Sequence, residues 1–272
     1  MFQRAVSILA LLFCAACTPA VRFPIDTVHY DAAAAPGSRM LIVFLPGNGD
    51  PISVFQKKGL IADVRQHGLP ADMIAVDAHL GYYLNGSIFS RLKEDVIDPA
   101  RARGYDRVWL VGNSLGGYGS LSYAREHPED VTGVVLLGPF LGRKETIDEI
   151  KRSGGVLQWQ PSGIPEKSVK DWEDRLWLWI KANVRSGSLR AEVDSRERPA
   201  GYSPIIYIGY GRRDRLSEGQ ELFASLLPPD HVIAIDGGHD WPTWKKLWDL
   251  FLDRNIFEGT TGVEAAPAEV KP

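Results

Sequence analysis

Four short stretches of the chain hold residue types that chemistry needs. Gly112-Asn113-Ser114-Leu115-Gly116 sets a hydroxyl between two glycines, in the spacing G-x-S-x-G. An apolar run, Arg107–Val111, precedes it, and a helical stretch, Leu115–His127, follows and stops at Pro128. A serine hydroxyl serves as a nucleophile when a sharp strand-to-helix turn lifts it clear of the sheet. Side chains two residues before and after would collide with neighbouring backbone, and the new helix aims its first amides at the reacting centre. Tyr210-Gly211-Arg212-Arg213-Asp214 supplies a carboxylate and Asp236-Gly237-Gly238-His239-Asp240 an imidazole, each just after a β-branched apolar run. Ser114, Asp214 and His239 together suit nucleophilic acyl chemistry. His239 would take the serine proton and return it to the leaving group, while Asp214 would orient the ring and stabilise its charged form. Asp236 and Asp240 flank His239. Neighbours so close in a tight loop rarely turn back onto the same ring with good geometry. Asp214 is therefore the expected acid, and Asp240 the expected cap of the next helix. Fourth, Leu45-Pro46-Gly47-Asn48-Gly49-Asp50 is a glycine-rich turn between an apolar run and a helix. It can offer the Asn48 amide, with that of Leu115, to a developing oxyanion.

These loops need a scaffold that brings strand ends to one edge. Near-continuous apolar runs at Met40–Leu45, Met73–Val76, Arg107–Val111, Val131–Leu137, Pro204–Tyr210 and His231–Ile235 read as strands covered on both faces. Helical spacing marks Ser53–His67, Arg91–Arg103 with a kink at Pro99, Leu115–His127 and Trp241–Asn255. Alternation of strand and helix predicts a doubly wound, mostly parallel sheet. Leu141–Gly201 breaks the rhythm with no convincing strand. Its tryptophans, Trp159, Trp172, Trp177 and Trp179, predict a small helical cap. Within it Glu166–Val184 should be a helix with Trp172, Leu176, Trp179 and Ile180 on a shared face.

With these stretches in hand, the chain resembles the α/β-hydrolase superfamily over about residues 38–255. Gly112-Asn113-Ser114-Leu115-Gly116-Gly117 is similar to its nucleophile elbow. Leu45-Pro46-Gly47-Asn48-Gly49 resembles its His-Gly oxyanion turn, with Pro46 where His is common. Val76-Asp77-Ala78-His79-Leu80-Gly81 resembles the loop after its next strand. The resemblance implies an α/β fold with an eight-stranded sheet, one strand antiparallel, for which Phe23–His29 is the candidate. It also implies a helical cap, about residues 141–201, after the sixth strand as that fold is counted.

The two ends read differently. Met1-Phe2-Gln3-Arg4 is a short basic start, and Ala5–Ala16 is apolar but for Ser7. That run is too short to span a bilayer and suits a signal peptide. It ends at Cys14-Ala15-Ala16-Cys17, which resembles a bacterial lipobox with Cys14 where an aliphatic residue is usual. This implies export, acylation of Cys17 and an outer-membrane or periplasm-facing lipoprotein. Cleavage after Ala20, giving a soluble secreted protein, is the alternative. The predicted division is a signal segment 1–17, a tether 18–38, the hydrolase domain 39–255 and a flexible tail 256–272. The chain's two cysteines both lie in the first segment, so the domain has no disulfide and no cysteine nucleophile.

Composition narrows the function. A net charge of −3 and 24% charged residues set up no field for nucleic acid. His29, His67, His79, His127 and His231 show no metal-type spacing, and no phosphate-binding glycine loop is present, so no cofactor and no metal is expected. The expected activity is hydrolysis of carboxylic esters with small or medium acyl groups through an acyl-enzyme. Thioesters, lactones and amides use the same groups. A non-catalytic binding protein of this fold is the rival from another class. Dehalogenases and epoxide hydrolases need a carboxylate where Ser114 stands.

Overall fold

The structure is a computed structural model that describes residues 19–31, 39–161, 169–186 and 204–257. Cys14 and Cys17, residues 18 and 32–38 of the expected tether, 162–168 and 187–201 of the expected cap, and 258–272 of the expected tail lie outside them.

Seven strands form one sheet: β1 (Thr27–Tyr30), β2 (Met40–Leu45), β3 (Ala71–Val76), β4 (Arg107–Asn113), β5 (Gly133–Leu137), β6 (Ile205–Gly211) and β7 (Val232–Ile235). Their order is β1-β3-β2-β4-β5-β6-β7. Only β1 runs antiparallel, with Thr27 opposite Val76. The described residues thus hold seven strands where eight were expected, and the antiparallel one begins four residues later than Phe23.

All six residues of β2 are buried. The side chains divide by the two-residue pleat: Leu41, Val43 and Leu45 enter one core, Met40, Ile42 and Phe44 the other. β4 repeats this, with Val108 and Leu110 on one side and Trp109 and Val111 on the other. A strand apolar at every position is what two covering helix layers require. One layer includes α3 (Leu115–Glu126); the other includes α1 (Leu60–Gln66) and α7 (Trp241–Asp253). Between them in sequence lie α2 (Leu80–Leu84), α4 (Lys144–Arg152), α5 (Val169–Ser186) and α6 (Ser217–Ala224).

Four local expectations are corrected. Ser53–His67 is not one helix: Gly59 turns left-handed at φ 90° and separates Val54–Lys57 from α1. The predicted kink at Pro99 is a π-helical segment, Lys93–Ile97, between Ile88–Leu92 and Asp98–Ala102. Proline donates no hydrogen bond and crowds the carbonyl four residues back, so the turn before it widens. In α5 the apolar residues that bury fully are Leu176, Trp177 and Ile180, while Trp172 and Trp179 are half-buried. The core also reaches past residue 255, since Ile256 and Phe257 are buried.

Register decides what the sheet can do. Leu45 pairs with Gly112, Asn113 with Leu137, Leu137 with Gly209, and Gly211 with Ile235. The turns after β2, β4, β6 and β7 therefore open at one edge, where α/β sheets collect their sites.

Candidate active site

Ser114 sits at φ 50°, ψ −115°, between the end of β4 and the start of α3. A non-glycine residue with positive φ stores strain, so the surroundings must hold it. They do so by close backbone approach. A methyl group on Gly116 would overlap the Leu45 carbonyl, and one on Gly112 would overlap that of Gly116. The Ser114 amide donates to Leu137 O at 3.1 Å, and its carbonyl accepts from Phe140 N at 2.9 Å and Tyr118 N at 3.2 Å.

From that turn the hydroxyl reaches His239. Ser114 Oγ lies 2.9 Å from His239 Nε2, and His239 Nδ1 lies 2.8 Å from Asp214 Oδ2. An ionised carboxylate only accepts, so Nδ1 carries the proton and Nε2 is left to accept from the hydroxyl. Asp214 is fully buried but well supplied with donors. Leu216 N donates to Oδ1 at 2.8 Å, and Gln220 Nε2 to Oδ2 at 3.2 Å. Burial pushes the Asp214 carboxyl up. The bonds from His239, the Leu216 amide and Gln220 outweigh that and hold it below the usual carboxylate range. The ring of Trp244 stands edge-on to His239 at 5.0 Å.

The two other acids near His239 are occupied elsewhere. Asp236 pairs with Arg213 in an exposed salt bridge. Asp240 caps α7, accepting from Thr243 N at 2.9 Å.

Asn48 and Leu115 line the same cavity as Ser114. Leu115 opens α3, so its amide has no partner within the helix, and among the described residues neither it nor the Asn48 amide has an acceptor. The turn carrying Asn48 is clamped by a group that the motif reading passed over. Asn113, fully buried, accepts from Gly47 N at 3.1 Å and donates to Asp50 Oδ2 at 3.1 Å. Trp241 Nε1 holds the other Asp50 oxygen at 3.1 Å. Asn113→Ala is expected to loosen this turn and lower kcat by about 10–100-fold with little change in KM, a fraction of what a lost oxyanion donor costs. Steady-state kinetics well below the melting temperature check it; unchanged kcat would make the clamp irrelevant to turnover. Gln220 was also invisible in the sequence, because it meets Asp214 and the Pro139 carbonyl only through folding.

Above the serine lies a cavity of about 340 Å³ walled by Leu80, Tyr83, Tyr118, Phe140 and Trp172. A second, of about 540 Å³, continues past Tyr83, Leu84, Tyr118 and Trp172 to Phe89 and Arg125. Trp177 lines neither. It is wholly buried and donates to the Leu141 carbonyl at 2.7 Å, which makes it packing. A grouping of His127, Glu129 and Asp130 also appears away from the cavity. Its Asp130 is already bound by Lys93 and Tyr123.

Residues 96–187 match the family model of the alpha/beta hydrolase fold. Solved structures align over most of the chain. Est1E from Butyrivibrio proteoclasticus is 15% identical, covers 86% of this chain and 93% of its own, and has a TM-score of 0.54. An S-formylglutathione hydrolase from Agrobacterium tumefaciens is 14% identical, with 85% and 88% coverage and a TM-score of 0.53.

This is the α/β-hydrolase fold.

Among curated sequences, the chain is 24% identical to an acetyl esterase from Caldicellulosiruptor saccharolyticus over 152 residues, 52% of this chain and 51% of the relative. It is also 24% identical to a 2-hydroxy-6-oxononadienedioate/2-hydroxy-6-oxononatrienedioate hydrolase from Klebsiella pneumoniae, over 57% of this chain and 62% of that one. The chain thus spans less than two thirds of either relative.

Proposed function

We propose that the protein is a serine hydrolase that cleaves carboxylic esters through an acyl-enzyme. The observation that carries this is the unbroken line of hydrogen bonds Ser114–His239–Asp214 beneath an apolar cavity. Ser114 Oγ attacks the ester carbonyl as its proton passes to His239 Nε2. The tetrahedral oxyanion takes the amides of Leu115 and Asn48. His239 gives the proton to the departing alcohol, and the acyl group stays on Ser114. Water then enters, loses a proton to His239 and attacks the acyl carbonyl. Collapse returns the proton to Ser114 and frees the acid. The likeness to an acetyl esterase supports an ester, and the same steps would cleave a thioester, lactone or amide.

Small and medium acyl groups fit a cavity of about 340 Å³, at the lower end of ligand sites. A fluorophosphonate should label the wild-type protein once, on Ser114, and an ester panel should show turnover that declines beyond medium acyl length. Trp172→Ala should shift that preference toward longer chains with little effect on the shortest ester. Trp177→Ala should instead destabilise by about 3–5 kcal/mol, as large-to-small changes in a core do. No labelling and no ester turnover would leave a binding protein as the answer.

We further infer export with acylation at Cys17. The basic start, the apolar run and the small residues before Cys17 support this. Thr18 is not the Asp that resembles an inner-membrane retention signal, which favours the outer membrane. Intact mass of membrane-extracted protein tests it. A mature N-terminus at Val21 without lipid would mean plain secretion.

A further inference from the structure

Residues 19–25 are held against Gly81, Tyr82 and Asp95. Arg22 N donates to the Tyr82 hydroxyl at 3.0 Å, and that hydroxyl donates back to the Arg22 carbonyl at 3.0 Å. Ile25 is buried, and its amide donates to Asp95 Oδ2 at 2.9 Å. Val21 packs on the core. Pro19 lies so close to α2 that a methyl group on Gly81 would overlap its carbonyl. The described part of the expected tether is therefore docked.

Gly81 and Tyr82 belong to α2, the helix whose Leu80 and Leu84 line the Ser114 cavity. Pro19 thus lies within about one helical turn of residues that line the cavity. Cys17 is only two residues earlier, and two residues reach at most about 7 Å.

The strap is mixed in character: Arg22 pairs with Asp26 in solvent and the Arg91 guanidinium lies 5.2 Å from the Phe23 ring, yet large apolar side chains are exposed as well. The described residues have three exposed large hydrophobic side chains, and two of them, Phe23 at 62% and Leu84 at 52%, lie on this docked strap and on α2. Leu84 also lines both cavities, so an apolar path runs from solvent over Leu84 toward Ser114.

We propose that this rim rests on the lipid layer and that the natural substrate is an acyl ester dissolved in that layer, entering over Leu84. The inference rests on acylation of Cys17. Acyl chains on that residue would pull Pro19, Phe23 and Leu84 onto the bilayer, where their apolar surface leaves water. A long tether would let the domain turn freely. This docked one sets its orientation.

The test uses the acylated full chain in phosphatidylethanolamine–phosphatidylglycerol vesicles. Intact mass first establishes the lipid on Cys17. A fluorophore is placed on Phe23→Cys or, at the opposite edge of the sheet, on Ala102→Cys. Nitroxide-labelled lipid should quench the label at position 23 several-fold more than that at 102. A second variant inserts about twenty Gly/Ser residues between Thr18 and Pro19, a flexible spacer. It should hydrolyse a soluble short ester as the wild type does, but a medium-acyl ester of a long-chain alcohol held in the vesicle about tenfold more slowly, from lost effective concentration. Equal quenching at the two positions, or an undiminished rate on the vesicle ester, overturns the orientation while acylation stands. An unmodified Cys17 overturns both.

Discussion

Ser114→Ala is expected to lower kcat by about 10³-fold or more while the protein stays folded. The hydroxyl's one partner among the described residues is His239 Nε2. The His239 side chain keeps 10% of its surface exposed, so removing the hydroxyl does not strand a polar group in the core. The backbone contacts that enforce φ 50° at this position belong to Gly112, Gly116 and the Ser114 peptide itself, and alanine keeps them all. Stability should therefore change by no more than about 1 kcal/mol, within the range of a lost partly exposed hydrogen bond. Turnover of the best ester on the panel, beside a thermal melt, checks both halves. A folded alanine variant with wild-type turnover would remove Ser114 from the mechanism.

Asp214→Asn is expected to cost about 10³–10⁴-fold in kcat, because it changes which nitrogen of His239 carries the proton. Asparagine can turn an N–H toward Nδ1. The ring then protonates at Nε2 and cannot accept from Ser114. Asp236→Asn should leave turnover near wild type, since that carboxylate faces solvent with Arg213. Asp240→Asn should do likewise, because asparagine caps a helix about as well as aspartate. If Asp240→Asn were the most damaging of the three, the acid would be misassigned. The pH dependence gives a second readout. The Asp214 carboxyl is held below its ordinary value in the folded protein. Its contribution to stability is thus present above the unfolded carboxyl value of about 3.9, and is lost as pH falls through the lower folded value. The stability difference between wild type and Asp214→Asn should shrink as pH drops below about 4. A difference independent of pH would mean that the carboxylate is not held by these donors.

The parts of the site that could be read in the sequence are those whose constraints are local. The G-x-S-x-G spacing is a steric statement about five consecutive residues, and Gly112 and Gly116 meet backbone where that statement says they must. Parallel strands can be read from runs such as Met40–Leu45, because a strand covered on both faces must be apolar at every position. Once those strands are parallel, the loops carrying Ser114, Asp214 and His239 have to share an edge. The choice among Asp214, Asp236 and Asp240 drew on the same logic, since residues within a few positions of His239 lack the reach to fold back on its ring.

What only the tertiary structure decided depends on pairs far apart in the chain. Asn113 looks like the variable position of a motif until Gly47 and Asp50 arrive 66 and 63 residues away, and Trp241 closes the clamp 191 residues from Asp50. Helical spacing placed Trp172, Leu176, Trp179 and Ile180 on one face. The Leu141 carbonyl, 36 residues from its partner, drew Trp177 into the core instead. Periodicity names a face only to within one residue's rotation, about 100°, and the neighbouring element selects the side chain that buries. Residues 19–22 read as a tether because nothing in their composition marks a contact; Gly81 and Tyr82, about sixty residues on, hold them against α2. Sequence states what each segment can do alone, and the long-range hydrogen bonds and close packing that choose among those options exist only once the segments meet.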